Sequence, residues 1–334
     1  MNAPLVNATR FRLEHADDWK RLEELVTRLE KKSLRSLSDD DLLDLPRLYR
    51  TTLSSLSVAR DTSLDGALLS YLEQLSTRAY FQLYGVQTSP GRQVGRFFTA
   101  GWPDAVRALW RELAFCVALT TLSALAAYFL IRSDPEWYYA IIPQGLAGGR
   151  DPSASAAFLR TTLYDGGGKD SALTLFATFL FTHNAQIAIF AFALGFAFAV
   201  PTVLLIIYNG LMLGAITAVF ASKGLGPNLG AWLAIHGTTE LLAICISGAA
   251  GIRLGTALAF PGSRTRMEAM VGAGRIAATA MLGTVVMLGV AGLLEGIGRQ
   301  TITDDGARLA IGLAALAGWL CYFFWPRRPA EPTP

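Results

Sequence analysis

Residues 171–222 read SALTLFATFLFTHNAQIAIFAFALGFAFAVPTVLLIIYNGLMLGAITAVFAS, without one Asp, Glu, Lys or Arg. A bilayer crossing needs ~20 apolar residues to span ~30 Å of hydrocarbon, so this run is too long for a single helix. Pro201 cannot donate within a helix interior and divides the run, predicting two membrane helices joined by a tight turn around Phe198 to Thr202. The fold class follows: an all-α, polytopic membrane protein.

On either side the same pattern recurs. Glu112 to Ile131 has the length of one crossing, and further apolar runs cover about Leu229 to Leu258, Arg275 to Leu294 and Ala307 to Trp325. Six transmembrane helices are expected within residues 112–326, the start of the second left open between Ser171 and Phe181. Residues 132–170 form a Gly-, Pro- and Asp-containing connection too polar for lipid, with Trp137, Tyr138 and Tyr139 suited to anchor its start at the interface. The composition agrees with two solvents. The chain is 52% hydrophobic and only 16% charged, against roughly one quarter charged in soluble domains, and most of its charges precede residue 113.

The region 1–90 reads as soluble, cytoplasmic and helical. Phe11, Leu13, Trp19, Leu22, Leu25, Val26 and Leu29 recur at helical spacing; a second helix starts at the capping cluster Ser38-Asp39-Asp40-Asp41 and continues through Leu42, Leu45, Leu48, Tyr49, Leu53 and Leu56, with Pro46 placed to bend it. Leu68, Leu72, Leu75, Ala79 and Leu83 mark a third, ended by Gly85 and the Ser89-Pro90-Gly91 breaker. Residues 91–111 mix Phe97, Phe98, Trp102, Val106, Leu109 and Trp110 with arginines, the pattern of an amphipathic segment lying on an anionic leaflet. The amino terminus lacks a basic-then-apolar secretory pattern, so no cleavage is expected.

Charge sets the orientation. One set of loops carries the amino-terminal basic cluster with Arg253, Arg264, Arg266, Arg275, Arg327 and Arg328, whereas the short opposite loops carry Lys223 and Arg299. The excess of Lys and Arg marks the cytoplasmic side, so both termini, including the tail 327–334, are expected there, in a bacterial inner membrane. The long loop, with Arg150, Arg160 and Lys169 but also Asp134, Glu136, Asp151, Asp165 and Asp170, is expected outside. A net charge of +3 without a basic, aromatic-interleaved stripe argues against nucleic acid. Cys116, Cys245 and Cys321 sit in apolar runs and suit packing.

Polar side chains at membrane depth are the candidate functional residues: His183, Asn184, Asn209, His236, Thr239 and Glu240. An ionisable group in a spanning helix costs at least a few kcal/mol unless it faces protein or water, which singles out Glu240. His236 and Glu240, four apart, lie on one helix face where they can share a proton. Counted from helix ends at ~1.5 Å per residue, Asn184, Asn209 and Glu240 reach similar depths, giving one polar layer across helices two to four. Three uses are open: an interhelical hydrogen-bond network, a proton or cation path, or a metal site with His183, His236 and Glu240 as ligands. HxxxE lacks the separate general base of HExxH, and no nucleophile elbow, phosphate loop or dinucleotide fingerprint accompanies it, so no catalytic residue or cofactor is assigned. Gly210 and Gly214, and Gly251 and Gly255, have the spacing of small-residue grooves; internal packing and a homo-oligomer are both open.

Several stretches together resemble the stage II sporulation protein M family of bacterial integral membrane proteins: LPRLYRTTLSSLSVARD (45–61) and YLEQLSTRAYFQLYG (71–85), then HNAQIAIFAFALGF (183–196), YNGLMLG (208–214) and HGTTELLAICISGAAGIRLG (236–255). The resemblance is read over nearly the whole chain. It implies intramembrane polar positions at Asn184, Asn209, Gly210, Gly214, His236 and Glu240, and a membrane component that helps to assemble an envelope complex whose hydrolytic chemistry belongs to partner proteins. The added amino-terminal helices look like the longer, non-sporulation branch. The expected role is a non-enzymatic scaffold or assembly factor surrounded by lipid and other envelope membrane proteins, with a proton- or cation-coupled transporter or channel as first alternative and an intramembrane metal-dependent hydrolase as second.

Overall fold

The computed structural model describes residues 8–31, 37–62, 65–84, 90–164, 172–298 and 301–325. Gly85, Ser89, Asp165, Lys169, Asp170, Ser171, Arg299 and the expected tail 327–334 lie outside them. The chain divides into two units, 1–93 and 94–334.

The first unit is a three-helix bundle of α1 (Ala8–Lys31), α2 (Asp39–Asp61) and α3 (Gly66–Tyr84). Its core is built of large side chains at helical spacing, among them Trp19, Leu22, Leu25, Leu48, Leu72 and Leu75. Ser38 caps α2 in a reciprocal box with Asp41, satisfying two amide donors that the first turn would leave open. Asp41 also receives the Arg21 guanidinium and, at 3.0 Å, that of Arg28, tying the start of α2 to α1. α3 is tied to α1 by Arg78 on Glu30 at 2.8 Å and by the Tyr71 hydroxyl donating to Glu23 at 3.0 Å. Burial, then Glu23, pushes the Tyr71 hydroxyl up to about 12. α2 continues through Pro46, whose missing donor falls near its first turns. Leu13, Leu42 and Leu53, expected on the apolar stripes, are exposed.

The second unit is all helix among the described residues. α4 (Pro90–Arg96), which begins just before the division, a π-helical turn (Phe97–Gly101) and α5 (Trp102–Ala108) lead into α6 (Trp110–Ser133); the short α7 (Trp137–Ile141), α8 (Gln144–Ala147) and α9 (Ala156–Tyr164) fill the following loop. Then come α10 (Ala172–Ala193), a 3-10 turn (Leu194–Phe196), α11 (Val200–Ser222), α12 (Gly226–Ala259), α13 (Arg266–Leu293), a π-helical turn (Leu294–Gly298) and α14 (Asp305–Phe324). Five of these, α6, α11, α12, α13 and α14, are long and apolar enough to cross a bilayer. α10, with 22 residues and no charged side chain, has the length of the remaining expected crossing. The protein is a polytopic, all-helical membrane protein.

α12 is the central pillar: 72% of its most apolar stretch is buried within the protein, against 17–39% for the other four. α6, α10, α11, α13 and α14 all pack on it. Phe115, Leu122, Leu125 and Phe129 of α6, Leu204 of α11, Leu282 and Val285 of α13, and Leu313 and Leu320 of α14 instead point outward, a continuous apolar exterior that water would not tolerate and lipid does.

The turn after α10 is as tight as Pro201 predicts. Phe198 and Ala199 take positive φ, 57° and 65°, and Pro201 falls in the first turn of α11. The Thr202 hydroxyl donates to the Ala191 carbonyl at 2.9 Å, fastening the reversal.

Two expectations are corrected. Within residues 91–111, Trp102, Val106 and Leu109 are not free to face a bilayer surface: from Val94 the segment belongs to the membrane unit and these three are buried in the same core as α12 and α13, while Phe98 and Trp110 remain exposed. Trp102 packs against Trp319, Tyr322 and Phe323 of α14, in the space opened by Gly283. Tyr138 is likewise turned into the protein, its hydroxyl donating to the Arg150 carbonyl at 2.7 Å, while Trp137 and Tyr139 remain about half exposed.

Candidate functional site

Glu240 lies fourteen residues into α12, about 21 Å from its start at ~1.5 Å per residue, and is 2% exposed. Asn184 on α10 donates from Nδ2 to its Oε2 at 2.5 Å. Oε1 has no hydrogen-bond partner among the described residues. Along α12, where proton sharing with His236 is expected, no direct hydrogen bond joins the two among the described residues. His236 is fully buried and its ring meets Trp232 edge-on, with centroids 5.3 Å apart.

His183, Asn184, Asn209, His236 and Glu240 line one cavity of about 120 Å³ between α10, α11 and α12. Thr239, grouped with them by depth, is on another face of α12, where it accepts from Trp319 Nε1 of α14 at 3.2 Å. Adjacent helix positions point about 100° apart, so similar depth does not imply a shared site. Among the described residues no three His, Cys, Asp or Glu side chains stand so that they could hold a metal ion; His183, His236 and Glu240 share a wall without forming a ligand set.

The glycine pairs are used inside the bundle. A Cβ on Gly210 would stand 2.6 Å from the Thr120 carbonyl and one on Gly214 2.0 Å from that of Ala124, so α11 crosses α6 backbone to backbone. Gly251 similarly meets the Ala191 carbonyl at 2.2 Å, and Gly255 the Ala199 amide at 2.2 Å. These contacts wedge α12 against the α10–α11 turn and place Asn184 within reach of Glu240.

Sequence reasoning misses a second polar cluster, at the α9 end of the cavity. The Tyr164 hydroxyl donates to Asp305 Oδ2 at 2.6 Å, and Asn228 Nδ2 donates to Tyr164 Oη at 2.7 Å and to Asp305 Oδ2 at 2.8 Å. Arg308, 1% exposed, donates to the Ile302 carbonyl at 2.7 Å and to the Leu163 carbonyl at 3.4 Å, with its guanidinium 5.3 Å from the Tyr164 ring centroid. Burial and the Asp305 carboxylate push the Tyr164 hydroxyl above its ordinary value. Thr162 and Leu163 of the α9 so held line the cavity. The available signal was the Asp305–Arg308 pair at i,i+3 in the first turn of an apolar helix. At the opposite end, Arg253 pairs with Glu112 at 2.8 Å and donates to the Ala108 carbonyl at 2.6 Å, joining α12 to α6 and to the end of α5.

Residues 113–298 match the stage II sporulation protein M family. The chain belongs to that family. The match runs from α6 through α13 and so contains the whole cavity-forming trio α10, α11 and α12, but not α14 with Arg308 and Trp319. Residues 9–85 match a separate family described as a domain of unknown function. This corrects the extent of the resemblance: LPRLYRTTLSSLSVARD and YLEQLSTRAYFQLYG fall in that second match, outside the sporulation-protein region. No curated protein and no solved structure matches the chain.

Proposed function

We propose that this family member is a non-enzymatic scaffold or assembly factor of a bacterial envelope complex. The observation that carries the reading is the division of the chain into a bundle locked by backbone-close crossings and a separate three-helix unit with its own core. The first suits a fixed anchor; the second offers helical surfaces for partner proteins. Helical spans suit the inner membrane. Arg107, Arg111, Arg253, Arg264, Arg266 and Arg275 at one end, against Lys223 in the short α11–α12 connection and Arg132, Arg150, Arg160 and Arg308 interspersed with Asp134, Glu136, Asp151 and Asp305 at the other, support cytoplasmic termini. Photo-crosslinkers at Lys20, Leu43 and Tyr80 of the full chain in cells test it. Discrete adducts with envelope membrane proteins are the expected result; none at any position removes the reading.

A second reading, a proton- or cation-coupled transporter, is favoured by the cavity that reaches Glu240. Flux into proteoliposomes that vanishes in Glu240→Gln while the fold survives supports it, and equal flux in both forms rejects it.

A further inference from the structure

The cavity at Glu240 is larger and more apolar than a proton or bare ion requires. About 120 Å³ compares with ~10–15 Å³ for one water. Its lining extends eleven residues along α11, from Asn209 to Phe220, and eleven back along α12, from Glu240 to Leu229, about 16 Å at ~1.5 Å per residue. The space is an elongated slot, polar at the Glu240 end, walled beyond it by Met212, Ile216, Phe220 and Trp232, and bordered also by Arg150, so that Glu240 is the one carboxylate among the described residues of its lining. Asn184 fixes one carboxylate oxygen of Glu240, and the other, buried, has no donor among the described residues. A carboxylate so placed calls for a donor, and a cationic donor answers it best.

We propose that this slot binds a small amphiphilic amine, its ammonium group on Glu240 Oε1 and an unbranched apolar chain running along α11 toward α9. The narrow, elongated shape selects a linear chain, and the single carboxylate selects a single cationic head. Gly237 faces the slot with space to spare: an added Cβ would meet nothing nearer than Leu233 Cβ at 3.7 Å. The inference shares Glu240 with the transporter reading but not its fate, since flux without amine binding removes this inference alone.

The test is calorimetric titration of the full chain in phosphatidylcholine nanodiscs with n-hexylamine, against n-hexanol and against empty nanodiscs. A second arm in phosphatidylethanolamine asks whether a lipid ammonium group competes. Saturable hexylamine binding at least tenfold tighter than hexanol is expected, weakened at least tenfold by Glu240→Gln. Competition in the second arm assigns the amine to a lipid; unchanged binding assigns it to a free molecule. Gly237→Leu fills the slot without touching the carboxylate and should abolish binding at unchanged thermal stability, which decides the matter should Glu240→Gln fail to fold. Equal binding of amine and alcohol, or wild-type affinity in either folded variant, overturns the proposal.

Discussion

The amino-terminal bundle and the membrane bundle are both helical and both bury large side chains, yet their helix crossings and outer faces follow different rules. In the first, large residues such as Trp19, Leu22, Leu48 and Leu72 go inside, because burial from water is worth ~25 cal/mol per Å² of apolar surface. In the second, Gly210, Gly214, Gly251 and Gly255 stand at the crossings while Phe115, Leu122, Phe129 and Leu204 face outward. Lipid leaves nothing to gain by hiding a leucine, so close backbone approach and interhelical hydrogen bonds such as Asn184 to Glu240 take over.

Breaking the membrane rule should have the largest effect. Gly251→Leu puts a side chain where the Ala191 carbonyl already stands at 2.2 Å from a Cβ; because backbone must move, destabilisation should exceed both the ~1–3 kcal/mol of ordinary overpacking and the ~2–5 kcal/mol of a core truncation. Size-exclusion profiles in detergent should show little folded protein, and a normal profile would mean that the crossing is not held by that glycine. Leu122→Ala on the outward face of α6 should leave the profile unchanged.

Breaking the water rule comes next. Leu72→Ala, at a fully buried position of the first bundle, should cost ~2–5 kcal/mol. Hydrogen exchange should report the loss in α1–α3, with α12 protected as before.

A smaller effect is expected from Arg308→Met. The substitution keeps the stem but removes the donors to Ile302 and Leu163, worth ~1–3 kcal/mol for a buried group left unsatisfied. Proteolysis within residues 134–164 should quicken while the spans stay intact. An unchanged cleavage rate would show that Tyr164, Asn228 and Asp305 hold α9 without it.

The smallest effect concerns charge in the water-soluble bundle. Burial pushes the Asp41 carboxyl up, but the Ser38 amide and hydroxyl, then Arg21 and Arg28, outweigh it and hold it below the ordinary value. A depressed folded pKa gives stabilisation that is present above the unfolded value and lost as pH falls through the folded one. Amide protection in α1 and α2 should therefore decline on acidification below about pH 4, and Asp41→Asn should be less protected at neutral pH and flatter across that range.

The same contrast explains what the sequence discloses. Spans follow from apolar run length, and the reversal before α11 from Pro201, because both are local. The cap at Ser38 is legible for the same reason. Leu13, Leu42 and Leu53 show the limit, since periodicity predicts a face but not its edge. Trp102 and Tyr138 have the amphipathic character of interfacial anchors, and only the tertiary fold, through Gly283 and the Arg150 carbonyl, draws them inside. Depth along a helix brings Asn184 to Glu240 but misplaces Thr239, because it ignores azimuth. Arg308 lies at a helix start where a charge looks unremarkable, and its role depends on partners far away in the chain.

That separation has a consequence for biogenesis. Leu163 and Arg308 are 145 residues apart, and at ~5–20 residues per second a ribosome needs on the order of ten seconds to cover the interval. Through that interval α9 has been synthesised while Arg308 does not yet exist. α14 thus acts as a latch, fastening α9 beside one end of the slot only once α10 to α13 have been made.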